Sequence, residues 1–375
     1  MTDTKPTDTK PTDTKPSPAD EAPSAPAEQT LQPLLLHSLS ELREIWRPLL
    51  EAAGIRSVTE IGSESGVTSR LLTEILHGAG GGELTIVEPD ACDVPAPDDV
   101  TCTLVRGFSP DALKGLPDAD AYLLDGDHNY WTITQELAAI AAAAQDRPAF
   151  PLLLLNDVSW PWARRDLYYA PGRLPAEAVH PYSYDLGVVP GKPDLQPSGF
   201  RGEGNWACAL TEGGPRNGVL TGVEDFLADH PELEYFHVAP VFGLGVILDR
   251  GAPWADRLRE LLAPYAGSPF LARLERNRTE LYVRLIEQQD AFGVAVRAGA
   301  RSRREELMRC DVALSEASAR DLELRDQLGE LERALASTRS ELAAANSELA
   351  AVRSTPEPAG GLLARLIRLL RSLRG

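Results

Sequence analysis

Apolar and polar positions fall into blocks along the chain, and the period of the blocks switches between that of a helix and that of a strand. Residues 34–53 put Leu35, Leu39, Leu42, Ile45, Trp46 and Leu49 on one helical face. Ser38 or Ser40 can cap that helix, and Gly54 ends it. Residues 58–90 read as strand, tight glycine turn, helix and strand, the second strand closed by the acid Glu88. Residues 100–105 and 119–124 are further strands, with a short helix or turn at 110–116 between them. An Ala-rich helix at 132–144 leads to a continuous apolar run at 152–155, as expected of a central parallel strand. A helix at 219–229 and strands at 234–239 and 245–248 follow, the two strands as a hairpin at the sheet edge. Alternation at this spacing predicts an α/β fold, a Rossmann-like doubly wound sheet.

The pattern breaks in three places. Residues 1–30 open with three Thr-Asp-Thr-Lys-Pro repeats and hold nothing that can build a core, which predicts a disordered tail. Residues 158–216 interleave Trp160, Trp162, Tyr168, Tyr169, Tyr182, Tyr184 and Trp206 with many Pro and Gly. A segment this long and this aromatic predicts a lid over the strand ends. Its rings suit a sugar or ring substrate, or serve only to pack the loop. Residues 256–353 are helical and charged. From about residue 314, Leu314, Asp321, Leu328, Leu335, Leu342 and Leu349 share one heptad position, and Ala317, Leu324, Leu331, Thr338, Ala345 and Val352 the other. That repeat predicts a coiled coil and a homo-oligomer; a single solvated helix is the plain alternative. Residues 354–375 are a linker and a basic amphipathic helix. Leu362, Leu363, Leu366, Leu369, Leu370 and Leu373 share a face, and Arg365, Arg368, Arg371 and Arg374 fill the rest. Such a helix suits a membrane surface or an acidic protein surface, and both readings stay open.

Composition narrows the partners. The formal net charge is −19, and no basic stripe covers the predicted domain, so nucleic acid is not expected as a partner. Cys92, Cys102, Cys208 and Cys310 have neither the spacing of a zinc site nor that of a disulfide framework. Reduced thiols, a polar N-terminus without a secretion signal and the lack of a spanning apolar run predict a cytoplasmic protein. The basic helix would place it at the inner face of the membrane.

Charge also bears on what the glycine turn holds. The turn is Gly62-Ser63-Glu64-Ser65-Gly66, with Glu60 just before it. A dinucleotide fold sets a pyrophosphate against such a turn, but two carboxylates would repel it. They would tolerate S-adenosylmethionine, which has an ammonium, a sulfonium and no phosphate. Glu88 lies about 20 residues past the turn, where such folds place an acid on ribose hydroxyls. A βαβ unit that binds nothing is the plain alternative. Ligands in doubly wound sheets sit at the carboxyl ends of the strands. Glu60, Gly62, Ser63, Gly66, Glu88, Ser109 and Asp125 are therefore the expected cofactor residues. Asp125, Asn156 and Asp157 are oxygen donors suited to a hard cation such as Mg²⁺. His128 is placed to take a proton from a hydroxyl held there, which makes His128 and Asp125 the expected catalytic pair. Each has an ordinary reading too: Asp125 or Asp127 as a helix cap, His128 bonded to a carbonyl, Asn156-Asp157 as a turn.

These motifs carry a resemblance. Glu-Ile-Gly-Ser-Glu-Ser-Gly, Val-Glu-Pro-Asp, Leu-Leu-Asp-Gly-Asp-His-Asn-Tyr and Leu-Leu-Asn-Asp-Val-Ser-Trp resemble class I S-adenosylmethionine-dependent methyltransferases. More narrowly they are similar to the macrocin-type sugar O-methyltransferases and the cephalosporin hydroxylase-like group. The resemblance implies a methyltransferase domain over residues 31–255 and O-methylation of a sugar or glycan. It also implies magnesium on Asp125, Asn156 and Asp157, with His128 as base. Asn156 stands where the metal-dependent members have an acid. A non-catalytic Rossmann-like module, assembled by the coiled coil at a membrane, is the alternative of another class.

Overall fold

The computed structural model describes residues 38–90, 92–354 and 362–372. The predicted N-terminal tail and the linker at 355–361 lie outside the described residues. Two compact units emerge, residues 1–289 and 290–375.

The first unit is built on a seven-stranded sheet. Its strands are β1 (Ser57–Ile61), β2 (Gly82–Glu88), β3 (Val100–Arg106), β4 (Ala121–Leu124), β5 (Leu152–Leu155), β9 (Leu233–Val238) and β10 (Leu244–Asp249). They lie in the order β3-β2-β1-β4-β5-β10-β9. The first five are parallel, and β10 runs antiparallel to both of its neighbours. The hairpin expected at the edge is present, but its second strand sits inside, between β5 and β9. Strand β5 shows why its sequence reads as one apolar run. Leu152 and Leu154 enter one core and Leu153 and Leu155 the other, because successive side chains point to opposite faces.

Helices cover both faces. The first core packs under α1 (Ser38–Glu41), α2 (Arg43–Ala53), α3 (Val67–Gly78) and α6 (Ala255–Leu262), with Trp46, Leu49, Leu76 and Leu258 as buried anchors. The second packs under α4 (Tyr130–Ala143) and α5 (Val219–Asp229), through Ile133, Leu137, Val219 and Val223. The predicted first helix is thus two helices broken at Leu42. Gly54 ends α2 in the left-handed conformation, as expected. No side-chain cap from Ser40 starts α2, whose N-cap is Leu42.

Residues 158–216 are more than a loop. Strands β6 (Leu167–Tyr168), β7 (Tyr182–Ser183) and β8 (Ala207–Ala209) form a small antiparallel sheet in the order β6-β8-β7. Arg165 and Asp166 are wholly buried there. The Asp166 carboxylate accepts the backbone N–H of Tyr130 at 2.8 Å and the Tyr168 hydroxyl at 2.9 Å, which ties this small sheet to the start of α4. A buried carboxylate needs such partners.

The long helix α7 (Pro269–Ser354) begins in the first unit. There the carboxylate of Glu275 accepts the backbone N–H of Phe242 at 3.0 Å, and Tyr282 meets Phe200 edge-on at 5.7 Å between centroids. Farther along, Leu314, Leu328, Leu335 and Leu342 are exposed. A final helix, α8, spans Leu362–Ser372. None of the described helices is long and apolar enough to cross a membrane. All four cysteines are free.

Candidate active site

A cavity of about 600 Å³ opens at the carboxyl ends of β1, β2, β4 and β5. Gly62, Ser63, Glu88, Ser109, Asp125, His128, Asn156 and Asp157 line it; Glu60 and Gly66 do not. Parallel strands all end on the same side, which is how residues almost 100 positions apart meet here.

Glu60 lies beneath the glycine turn, 1% exposed. It accepts the hydroxyl of Ser69, whose oxygen sits 2.5 Å from that of Ser63. Burial pushes the Glu60 carboxyl up to about 8, so at neutral pH it is largely the protonated partner of α3 rather than a charge facing a ligand. Gly66 caps α3 with a φ of 72°.

Glu88 organises the turn. One carboxylate oxygen accepts the backbone N–H of Ser63 at 2.9 Å and of Glu64 at 3.0 Å; the other accepts that of Asp90 at 3.1 Å. The turn amides that would cradle a phosphate are consumed inside the protein. A carboxylate has about four acceptor positions, so the second oxygen keeps capacity for one more donor from the cavity. Ser109 lines the same space and donates to Glu136, whose buried carboxyl is pushed up to about 8.

At the ends of β4 and β5 the acids crowd. Asn156 donates its amide to Asp125 at 2.5 Å. The His128 ring lies between two carboxylates, Nδ1 at 3.4 Å from Asp157 and Nε2 at 3.9 Å from Asp125. Burial raises the Asp125 carboxyl to about 7 and pulls the His128 imidazole down to about 4. Asp157 is driven well above the usual carboxylate range by burial and by Asp125. Its backbone is left-handed, φ 59°, an uncommon state for a residue other than glycine. Neither Asp125 nor Asp127 caps α4: Asn129 does, accepting the N–H of Thr132 at 2.8 Å. Asp127 instead accepts the N–H of Tyr169 at 3.2 Å, joining the motif to the segment 158–216.

No three His, Cys, Asp or Glu side chains among the described residues converge on a metal-holding position. The predicted set, however, contains Asn156. The amide oxygen of Asn156 and one oxygen of Asp157 are buried without a hydrogen-bond partner. Such orphans are costly, and both are hard oxygen donors. With Asp125 they fit a divalent cation.

The far wall is aromatic. Trp162 meets Trp206 edge-on at 5.1 Å, and Phe200 stacks on Phe242 at 5.7 Å. Arg173, from the segment 158–216, lies 3.7 Å over the ring of Phe108, and both line the cavity. Phe108, Arg173, Phe200 and Phe242 were not expected at a site. The aromatic content of 158–216 signals the wall in general, but nothing in the sequence marks which ring faces inward.

The sheet order, five parallel strands followed by a single antiparallel strand inserted before the edge, is a Rossmann-like fold. No family model and no curated protein matches the chain. Among solved structures it is similar to CmcI in an Mg-SAM form, at 15% identity over 31% of this chain and a TM-score of 0.26. It spans about half (51%) of that protein's length. It is also similar to a putative O-methyltransferase from Klebsiella pneumoniae, at 16% identity over 56% of this chain and 78% of that one, TM-score 0.30. TomG of Streptomyces achromogenes, solved with SAM, gives 15% over 56% and 79%, TM-score 0.30.

Proposed function

We propose that the protein is an S-adenosylmethionine-dependent O-methyltransferase acting on a hydroxyl of a sugar or glycan. One observation carries the cofactor reading: Glu88 takes the turn amides and keeps an acceptor free. The same carboxylate therefore removes the anion site a dinucleotide needs and offers an acceptor to a ribose hydroxyl. Around it Glu64, Asp90, Asp111, Asp125, Asp127 and Asp157 also line the cavity, against Arg173 as the single Lys or Arg among the described lining residues. Even with the Asp125 and Asp157 carboxyls raised by burial, the remaining acids outnumber Arg173, which favours a cationic ligand over a phosphate.

S-adenosylmethionine, when bound, supplies a methyl group on a sulfonium. The protein supplies position and a base. A neutral His128 accepts the acceptor's hydroxyl proton, and Asp125 and Asp157 stabilise the imidazolium that results. Magnesium held by Asp125, Asn156 and Asp157 would lower the pKa of that hydroxyl. The Trp162, Trp206 and Phe200 wall offers flat apolar faces for a sugar ring. The exposed leucine seam of α7 would pair with a second copy.

Isothermal titration with S-adenosylmethionine and with NAD is the test, followed by transfer of labelled methyl groups to a glycan panel. Binding of the first alone supports the reading. No binding of either would leave a non-catalytic module as the better description.

A further inference from the structure

The active-site reading leaves α8 unused. Its sequence, Leu-Leu-Ala-Arg-Leu-Ile-Arg-Leu-Leu-Arg-Ser, contains no acid in a chain whose net charge is −19. Arg365, Arg368 and Arg371 recur every third residue along one side, and Leu366, Leu369 and Leu370 follow the other. Leu366, Ile367 and Leu370 are 50%, 51% and 59% exposed. An isolated helix of 11 residues is marginal in water. A surface that took its leucines would give this one order.

We infer that α8 docks on an anionic lipid surface, with the leucine face in the headgroup boundary and the arginines on the phosphates. Three features select this occupant. The apolar face is continuous and ungapped, which suits a fluid plane without shaped pockets. The arginines carry no counter-charge within the helix, so an anionic surface supplies it. A second copy of α8 would bring arginines against arginines. The helix is too short to cross a bilayer, which needs about 20 apolar residues, so it lies in the interface.

Each arginine near such a surface strengthens binding about fivefold at low salt, and three together roughly a hundredfold. The test is flotation of the full-length protein with vesicles of phosphatidylglycerol and phosphatidylcholine, beside vesicles of phosphatidylcholine alone. The protein should float with the first at low salt, not with the second, and high salt should release it. Combined Arg365→Glu, Arg368→Glu and Arg371→Glu changes should abolish flotation. Leu366→Gln with Leu370→Gln should reduce it at unchanged charge. Unchanged circular dichroism across the variants shows that loss of flotation is not loss of fold. Protein that stays unbound with anionic vesicles overturns the inference and points to an acidic protein partner. Flotation that survives the triple charge reversal, or is equal on neutral vesicles, overturns it as well.

Discussion

Gly62 packs against the backbone of Asp125. A Cβ added to Gly62 would overlap the Asp125 carbonyl oxygen, and the Gly62 φ of 82° is itself strained for any side chain. The Gly62 N–H reaches the Val87 carbonyl of β2 at 3.0 Å and the Asp125 N–H reaches the Ile61 carbonyl of β1 at 2.8 Å, so each residue is stitched to the strand next to its own. The glycine turn after β1 and the end of β4 thus share one contact. Gly62→Ala is expected to lower stability by about 2 kcal/mol or more, combining a steric clash with a disfavoured φ. Denaturant unfolding of the variant measures it; a loss below a few tenths would show that the contact is slack.

Glu88→Ala should weaken S-adenosylmethionine binding by about 2 kcal/mol, as when a charged acceptor is lost and buried amides are left unpaired. The Ser63 and Glu64 N–H groups lose their acceptor together, so the turn loosens too. Calorimetric titration decides the point, and wild-type affinity in the variant would remove Glu88 from the cofactor site.

His128→Ala should cut turnover by two or more orders of magnitude with cofactor affinity kept, the scale expected of a general base. Wild-type activity should fall on chelation and return with magnesium. Because burial holds His128 down at about 4 and Asp125 up at about 7, the imidazole is already neutral at pH 6. No rising limb from His128 is therefore expected between pH 6 and 8, and one in that range would contradict its role as a neutral buried base. Activity that survives exhaustive chelation would remove the metal and leave His128 standing.

The buried acids make stability pH-dependent in a particular direction. Glu60 and Glu136 are raised from 4.5 to about 8 and Asp125 from 3.8 to about 7, all chiefly by burial. The native state therefore holds protons that the unfolded chain has already released, and stability declines as pH rises through these values. His128 acts oppositely, but only between about 4 and its ordinary 6.5. Between pH 6.5 and 8 Glu60 and Glu136 should each remove on the order of 1 kcal/mol per pH unit, with Asp125 adding to the fall only up to about 7. The melting temperature should drop across that window, and Glu60→Gln with Glu136→Gln should flatten the drop. An equally steep fall in the double variant would refute the assignment.

Leu328→Lys with Leu335→Lys should convert the protein to a monomer by light scattering, with methyl transfer retained. Both side chains are more than half exposed on α7 and lie one heptad apart. A wild-type monomer at working concentrations would mean that the seam has no second copy to pair with.

Local pattern by itself determined the strand-and-helix alternation, the glycine turn and the acids at the strand ends. These are readable because periodicity reports which face a side chain takes, and because parallel strands must end on one side. The partners of those acids were decided only by tertiary structure. Glu60 and Glu88 look alike in sequence, each an acid at or next to the end of a strand. The register of β1 against β2 and the seat of α3 bury one against Ser69 and aim the other at the turn amides. Asn129 rather than Asp125 caps α4, a choice set by backbone angles that no composition reveals. The strands within 158–216 are two or three residues long, too short to show a period, and Asp166 is held by partners up to 52 positions away. Strand β10 enters between β5 and β9 because its own residues, Leu244 to Leu248, are buried on both faces, which an edge position would have left open to water.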